Sequence, residues 1–125
     1  MTARAPAARG KADGNHAAIK AAIEMLGFPV MDLSAAGGGV EDLLVGLHRR
    51  ERHYSPNGLA HGVRVHFWLV VECKVPKNRR GEIMPSQFQP AQIAWHALTK
   101  EWPRIVPVSA QDAVNQIRAM TGIAA

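Results

Sequence analysis

The sequence HFWLVVECKVPKN, residues 66–78, combines a hydrophobic run with two charged side chains that follow it at once. Five of its first six residues are apolar, which is typical of a strand covered on both faces of a sheet. On an extended chain the side chains of Glu72 and Lys74 share one face, and Cys73 takes the other. Because desolvation cancels much of the attraction in a buried ion pair, such a pair stabilises a fold poorly. The charges at the end of this strand therefore point to a function.

The segments on either side predict an α/β domain with the element order α-β-β-β-α-β-α. Helical spacing of apolar residues in NHAAIKAAIEMLG predicts a first helix, with Asp13 or Asn15 as its N-cap and Gly27 at its end. The segments FPVMDLS and VEDLLVGL predict two strands, separated by the glycine turn AAGGG. After the central strand, PAQIAWHALTKEW predicts a helix starting at Pro90, RIVPVS a last strand, and SAQDAVNQIRAM a closing helix capped by Ser109.

The same patterns predict which side chains are buried. In the helix that starts at Pro90, the expected buried residues are Ile93, Trp95, Ala97 and Leu98. Trp68 and Trp95 are expected in the core. Cys73, on the face opposite Glu72, is expected to be a small buried hydrophobic residue and not a nucleophile.

Length and composition favour one basic, intracellular domain. The chain has 125 residues, which predicts a flexible basic tail at 1–10 and a single domain over 11–125. No apolar run approaches the roughly 20 residues of a membrane span, and the N-terminus lacks the apolar segment of a secretory signal. One cysteine excludes a disulfide framework within the chain and fits a reducing cytoplasm. A net charge of +5 favours anionic partners, of which nucleic acid is the commonest.

Two basic segments are candidates for phosphate binding. Residues 48–64 contain a Pro-Asn-Gly turn and predict a long hairpin or an exposed loop, inserted in the domain. Residues 76–88 form a second basic loop. Both are expected to flank the site and to hold phosphates through Arg49, Arg50, Arg52, Lys77, Arg79 and Arg80. The alternative is that these are solvated charge runs. The histidines of the first segment could bind zinc, but their spacing fits no metal motif.

A second carboxylate lies upstream of the central strand. Asp42 follows the glycine turn, and it can approach Glu72 if the second and third strands are neighbours. Two close carboxylates repel each other and need a cation, and oxygen ligands select Mg²⁺ or Mn²⁺. Such an ion can offset the charge of a phosphoryl transition state, with Lys74 orienting the attacking water or stabilising the developing charge. Taken alone, however, Glu-x-Lys is also common as a plain charge pair.

The order of these motifs resembles a known family. The chain contains, in order, a first helix carrying DGNH, a glycine turn, EDLLVG, VVECK, a basic loop and PAQIAWH. This order resembles that of nucleases of the PD-(D/E)XK superfamily, in particular its virus-type replication-repair (VRR-NUC) group. The layout is similar to that of archaeal Holliday-junction resolvases. The resemblance covers residues 11–120 and implies a restriction-endonuclease-like mixed sheet flanked by helices. It further implies a metal-dependent endonuclease that cuts branched or flapped DNA in phage or bacterial replication, recombination or repair, and that pairs as a homodimer.

The resemblance also assigns roles to single residues. Asp42 takes the place of the motif's aspartate, and Glu72 and Lys74 take the (D/E)XK positions. The backbone carbonyl of Cys73 would be a further metal ligand. Gln92 matches a glutamine that holds the nucleophilic water or the lysine. The candidate catalytic set is therefore Asp42, Glu72, Lys74 and Gln92, and the candidate metal ligands are Asp42, Glu72 and Cys73.

Three positions depart from the family or are open. Glu41 stands where proline is usual and would add negative charge beside the metal. Asn15 stands near a position where resolvase-like relatives carry a glutamate, which makes a second metal site doubtful. His96, one turn after Gln92, could join the site or be an ordinary surface residue.

Two other readings stay open. The chain could be a nuclease scaffold that lost its chemistry and binds DNA or protein. It could also be a basic structural domain in which Glu72 and Lys74 simply pair.

Overall fold

A computed structural model of the protein describes residues 14–123. The predicted tail at 1–10 and the proposed cap Asp13 lie outside this range. The elements, in chain order, are α1 (His16–Met25), β1 (Val30–Asp32), β2 (Leu43–Tyr54), β3 (Ala60–Val71), a short 3-10 helix (Pro85–Gln87), α2 (Pro90–Leu98), β4 (Arg104–Ile105) and α3 (Ala110–Thr121).

The strands form one mixed sheet in the order β1-β2-β3-β4. β2 pairs antiparallel with β1 and with β3, whereas β4 runs parallel to β3. β3, which contains the hydrophobic run, is therefore an interior strand. The predicted α/β class, with a mixed sheet and three helices, is confirmed. Beyond the end of β3, the backbone N–H of Glu72 still donates to the carbonyl of Ile105, so the chain stays next to β4 where its charged residues begin.

β2 and β3 form one long hairpin, as residues 48–64 predicted. Their register runs without interruption from Leu43 opposite Val71 to Tyr54 opposite Ala60. The turn closes with a 2.9 Å bond from the backbone N–H of Ser55 to the carbonyl of Leu59. We call residues 48–66 the arm, because exposed and partly exposed side chains line this part of the hairpin, beyond the buried core.

The core lies between one face of the sheet and helices α1 and α3. Alternate residues of β2 and β3 point to this face, which is why one set of side chains in each strand is buried and the other is not. Cys73 is buried here, as predicted. The buried cluster consists of Ile19, Ile23, Phe28, Leu43, Val45, Leu47, Leu69, Val71, Cys73, Ile105, Ala113 and Ile117.

Helix α2 lies on the opposite side of the sheet and is far more exposed than predicted. Ile93 is 57% exposed and Leu98 79%, and Ala97 is exposed as well, so these three predictions are wrong. Trp68 is 43% exposed and does not belong to the core. The reason is that α2 reaches the sheet through a chain of edge-to-face aromatic contacts, in which Trp102 lies between Trp95 and Trp68.

The helix ends follow the sequence signals in part. Ser109 accepts from the backbone N–H of Asp112 and caps α3, and Pro90 is the first residue of α2. α1 ends before Gly27, whose φ of 95° favours glycine. Asn15 occupies the N-cap position of α1, but its side chain makes no capping bond and bonds elsewhere. No helix within residues 14–123 is long and apolar enough to cross a membrane.

Candidate functional site

Asp42 and Glu72 come together where β2 begins and β3 ends. Oδ2 of Asp42 accepts a 2.8 Å hydrogen bond from the backbone N–H of Cys73, the residue between Glu72 and Lys74. This bond joins the two segments that the sequence predicted to be neighbours. Asp42 is partly exposed, so solvent reaches the site on its side.

The Glu72 carboxyl is the most unusual group of the site. Its residue is only 2% exposed. Burial raises the pKa of the carboxyl from its ordinary 4.5 to about 7; the Asp42 carboxylate raises it further and Lys74 partly offsets the rise. Within the described residues, Oε1 of Glu72 is buried and has no hydrogen-bond partner. A buried polar atom without a partner is costly, and in a native fold it calls for a ligand or another explanation.

Lys74 is buried beside Glu72 and is surrounded by acceptors. Its Nζ donates to the carbonyl of Gln87 at 2.9 Å and lies 3.4 Å both from Oε2 of Glu72 and from Oε1 of Gln92. It also lies 5.2 Å from the centroid of the Phe88 ring, a cation–π contact. The two 3.4 Å contacts are long, so the ammonium group can exchange one of them for a water or a phosphate oxygen.

Gln92 bridges the two charged residues from the start of α2. Its Nε2 donates to Oε2 of Glu72 at 2.8 Å, while its Oε1 accepts from the backbone N–H of Gln89. Gly39 makes this approach possible. Its φ is 83°, and a Cβ there would overlap the backbone carbonyl of Ala91 and lie 2.8 Å from the backbone nitrogen of Gln92. Only a residue without a side chain lets the glycine turn lie this close to α2.

The carboxylate of Glu41 is engaged away from the site, in a buried network. Its Oε1 accepts from the indole N–H of Trp95 at 2.9 Å, and Oε2 accepts from Nε of Arg104. Arg104 also donates to the hydroxyl of Thr99. The negative charge of Glu41, which was expected to lie beside the metal, is therefore balanced by Arg104. Glu41 still contributes to the raised pKa of Glu72.

His96 belongs to the Glu41 network, and its contacts are with Glu41 and Phe88. Its Nε2 lies 3.1 Å from Oε2 of Glu41, and its ring contacts Phe88 edge-on. Burial, followed by the charge of Arg104, lowers the pKa of His96, so the imidazole is neutral at neutral pH. It therefore packs between Glu41 and Phe88 and is not placed at the carboxylates of Asp42 and Glu72.

Asn15 binds backbone next to the site. Its Nδ2 donates to the carbonyls of Lys74 and Val108, both at 3.0 Å. The amide therefore ties the start of α1 to the segment that carries Lys74 and to the segment after β4. Among the described residues, Oδ1 of Asn15 is buried without a hydrogen-bond partner. Asn15 therefore connects two backbone segments through its side chain. This differs from both roles considered from sequence, a helix cap and a metal ligand.

The donor set fits a divalent cation of the Mg²⁺ or Mn²⁺ type. It comprises two carboxylates, one of them with an unpartnered buried oxygen, and such ions prefer oxygen ligands and need few from the protein. Across residues 14–123 no group of three His, Cys, Asp or Glu side chains is placed to hold a metal. The third ligand expected from sequence, the carbonyl of Cys73, is a backbone group and does not belong to such a side-chain cluster.

The basic residues divide into two sets at different distances from the site. Lys77, Arg79 and Arg80 are exposed in the loop directly after Lys74. The arm, in contrast, does not flank the site, because the register of β2 carries it away from Asp42. Arg50 and Arg52 are eight and ten residues along from Asp42, or about 26 and 33 Å at the rise of a strand. The expectation that both basic segments surround the site is wrong for the arm.

Sequence reasoning missed the partners of Glu41 and the role of Gly39. Both hydrogen-bond partners of Glu41, Trp95 and Arg104, lie far along the chain, and no local sequence pattern pairs them with it. Their contacts with Glu41 depend on where α2 and β4 are placed in the fold, which the sequence pattern does not specify. Comparison with protein-family models, with curated proteins and with solved structures finds no match to this chain.

Proposed function

We propose that the protein is a metal-dependent DNA endonuclease that hydrolyses phosphodiester bonds with Mg²⁺ or Mn²⁺ bound by Asp42 and Glu72. In this proposal the mixed sheet and helices form a restriction-endonuclease-like domain of the PD-(D/E)XK type. The ion, when bound, would neutralise negative charge that develops on the phosphoryl group. The carbonyl of Cys73 would complete the ligands that the chain supplies.

The strongest support is the unpartnered Oε1 of Glu72, buried beside a second carboxylate. A proton alone would leave this oxygen without a partner in the site. A divalent ion would both occupy it and reduce the repulsion between the two carboxylates. A contribution to fold stability does not explain the arrangement, because burying two acids and a lysine costs desolvation energy that an apolar cluster would avoid.

Lys74 and Gln92 would act on the reacting groups in different ways. Lys74 can exchange a 3.4 Å contact for the attacking water or for a phosphate oxygen, and so stabilise the charge that develops there. Gln92 holds Oε2 of Glu72 by a hydrogen bond and leaves the other oxygen without a protein partner among the described residues. Because Glu72 is almost fully buried, substrate entry requires the Gln92 side chain or the start of α2 to move aside.

DNA is the proposed substrate because the chain is basic, with a net charge of +5, and exposed cations follow Lys74 directly. Phosphate contacts of this kind position a nucleic acid without reading its sequence. We therefore propose selectivity for structure, such as a branch or a flap, in replication, recombination or repair. Two cuts at one branch need two sites, which a homodimer would provide.

The test is a nicking assay on supercoiled plasmid and on a four-way junction with Mn²⁺. Wild type is compared with Lys74→Met, which keeps the apolar stem against Phe88, and with Lys100→Ala, which removes an exposed charge outside the site. We expect wild type and Lys100→Ala to cut, and Lys74→Met to lose about 100-fold or more. Equal cutting by all three would contradict the proposed mechanism.

One observation favours a second candidate, a module that binds DNA without cutting it. Glu72 and Lys74 are 2% and 7% exposed and Gln92 contacts both, so these two residues are closed off from solvent although Asp42 is partly exposed. A closed site fits a scaffold whose chemistry was lost. This candidate predicts retained DNA binding and no nicking by wild type at any Mn²⁺ concentration.

A further inference from the structure

The arm has two faces of different charge, which the register of the hairpin defines. Paired residues of β2 and β3 lie on the same face, and successive residues alternate between faces. Arg50 is opposite Arg64, and Arg52 is opposite Gly62. Arg50, Arg52 and Arg64 therefore share one face, and we call these three residues the arginine face.

The other face of the arm is charge-balanced. Glu51 accepts from Arg49 at 2.9 Å and lies 3.1 Å from Nε2 of His53. The bond with His53, followed by that with Arg49, lowers the pKa of the Glu51 carboxyl. Arg49 also lies over the ring of Phe67, at 4.9 Å from its centroid. This arginine is already engaged by an acid and an aromatic ring.

The arginine face has no such compensation. Within the described part of the chain, no carboxylate lies at ion-pair distance from Arg50, Arg52 or Arg64. Like charges directly across a hairpin, as in the pair Arg50 and Arg64, destabilise it unless an anion binds between or above them. Arg50 and Arg52 line an open groove of about 540 Å³, to which Glu51 and His61 of the other face also contribute.

Gly62 gives Arg50 the space to lie across the hairpin. A Cβ at Gly62 would lie 3.0 Å from a terminal guanidinium nitrogen of Arg50. The φ of Gly62 is not positive, so its backbone does not require glycine. A side chain at Gly62 would therefore displace the exposed guanidinium of Arg50 without straining the strand.

We propose that the arginine face binds the phosphates of duplex DNA at a distance from the cutting site, and that Arg49 takes no part. A two-stranded ribbon has the width that a DNA major groove accepts. This inference rests on the proposed function for the location of the cut. Arg50 and Arg52 lie about 26 to 33 Å along the strand from Asp42, which corresponds to about eight to ten base pairs.

A second copy of the chain is a poorer occupant for this face. Two copies related by a two-fold axis present the same patch to each other, so arginines would meet arginines. A polyanion is the complementary partner, and the loop after Lys74 supplies further cations nearer the site. One duplex would then contact the protein at two places about one helical turn apart.

The test measures DNA binding in EDTA, so that binding is separated from cutting, across a series of salt concentrations. The variants are the triple change Arg50→Ala/Arg52→Ala/Arg64→Ala, the control Arg49→Ala, and Gly62→Val, which moves Arg50 without changing charge. We expect the slope of log affinity against log salt concentration to become less steep by about three for the triple variant. The slope should stay unchanged for Arg49→Ala. Gly62→Val should weaken binding, with a smaller change of slope.

The length of the duplex gives a second readout. A flapped DNA with a duplex of about six base pairs beside the branch should bind wild type and the triple variant with the same affinity. A flapped DNA with a duplex of about fourteen base pairs should bind wild type more tightly than the triple variant. An unchanged salt slope in the triple variant would overturn the inference. So would a triple variant whose only change is from dimer to monomer, or a wild-type protein that binds duplex RNA more tightly than duplex DNA. If the triple variant loses DNA binding and wild type never cuts DNA, the proposed role of the arginine face is supported and the proposed nuclease activity is rejected.

Discussion

Asp42 accepts a 2.8 Å hydrogen bond from the backbone N–H of Cys73, and this bond fixes the distance between the two acids of the site. Since Cys73 lies between Glu72 and Lys74, the bond holds Asp42 beside the segment that carries both charged side chains. The aspartate thus has two separable roles, as a backbone acceptor and as a negative charge beside Glu72.

Asp42→Asn separates these roles, because an amide oxygen still accepts from the N–H of Cys73. We expect the thermal stability of the variant to match wild type and its nicking activity with Mn²⁺ to fall about 100-fold or more. Asp42→Ala, which loses the bond as well, should in addition cost about 1–3 kcal/mol in a urea titration. Full activity in Asp42→Asn would show that its charge is not needed.

The raised pKa of Glu72 predicts how stability without metal depends on pH. The folded state holds the proton up to about pH 7, whereas the unfolded chain releases it near 4.5. Stability from this group is therefore present below 4.5 and is lost as the pH rises through about 7. The loss amounts to about 3 kcal/mol on this scale.

Urea unfolding in EDTA at pH 5 and pH 8, with wild type and Glu72→Gln, measures this loss. The glutamine keeps the shape of the side chain and cannot ionise, so its free energy of unfolding should fall much less over the same interval. Mn²⁺ should raise the melting temperature of wild type more at pH 8 than at pH 5. Parallel pH profiles for the two proteins would contradict the assignment.

The buried pair of Glu41 and Arg104 should behave as one unit. Arg104→Met leaves the Glu41 carboxylate buried with its charge unpaired, which should cost about 3–5 kcal/mol. Adding Glu41→Gln to that variant should recover a large part of this loss, because the glutamine is neutral and can still accept from Trp95. A double-mutant cycle by urea unfolding tests this, and simple additivity would argue against coupling.

Gly39 and Gly38 form a matched pair for testing the position of α2. Both have positive φ, 83° and 67°, so an alanine at either strains the backbone by about 1–2 kcal/mol. Only at Gly39 does the new methyl group also meet the backbone of Gln92. Gly39→Ala should therefore lose more stability than Gly38→Ala and should also lose nicking activity. Equal effects would mean that the glycine turn does not position α2.

The fold could be predicted from sequence where the signal is local. The hydrophobic run ending at Val71 and the turn at Pro56 and Asn57 specify an interior strand and a long hairpin without reference to the rest of the chain. The convergence of Asp42 with Glu72 followed from treating β2 and β3 as neighbours. Alternation along a strand is enough to say which residues share a face.

What failed depends on how elements are placed relative to one another. The apolar stripe of α2 predicted burial of Ile93 and Leu98, yet the helix contacts the sheet through aromatic edges and leaves both exposed. The basic residues of the arm were expected beside the site because they are near it in sequence. A hairpin that stays paired as far as Tyr54 and Ala60 carries them away from it instead, whereas the sequence left open whether this segment is a hairpin or an exposed loop.

The most direct test of the metal proposal is a crystal of the protein soaked in Mn²⁺, with data collected for anomalous scattering. The account predicts one strong anomalous peak between the carboxylates of Asp42 and Glu72, in contact with Oε1 of Glu72. A structure at saturating Mn²⁺ with no peak at that position, and with Oε1 of Glu72 still lacking a ligand, would contradict it.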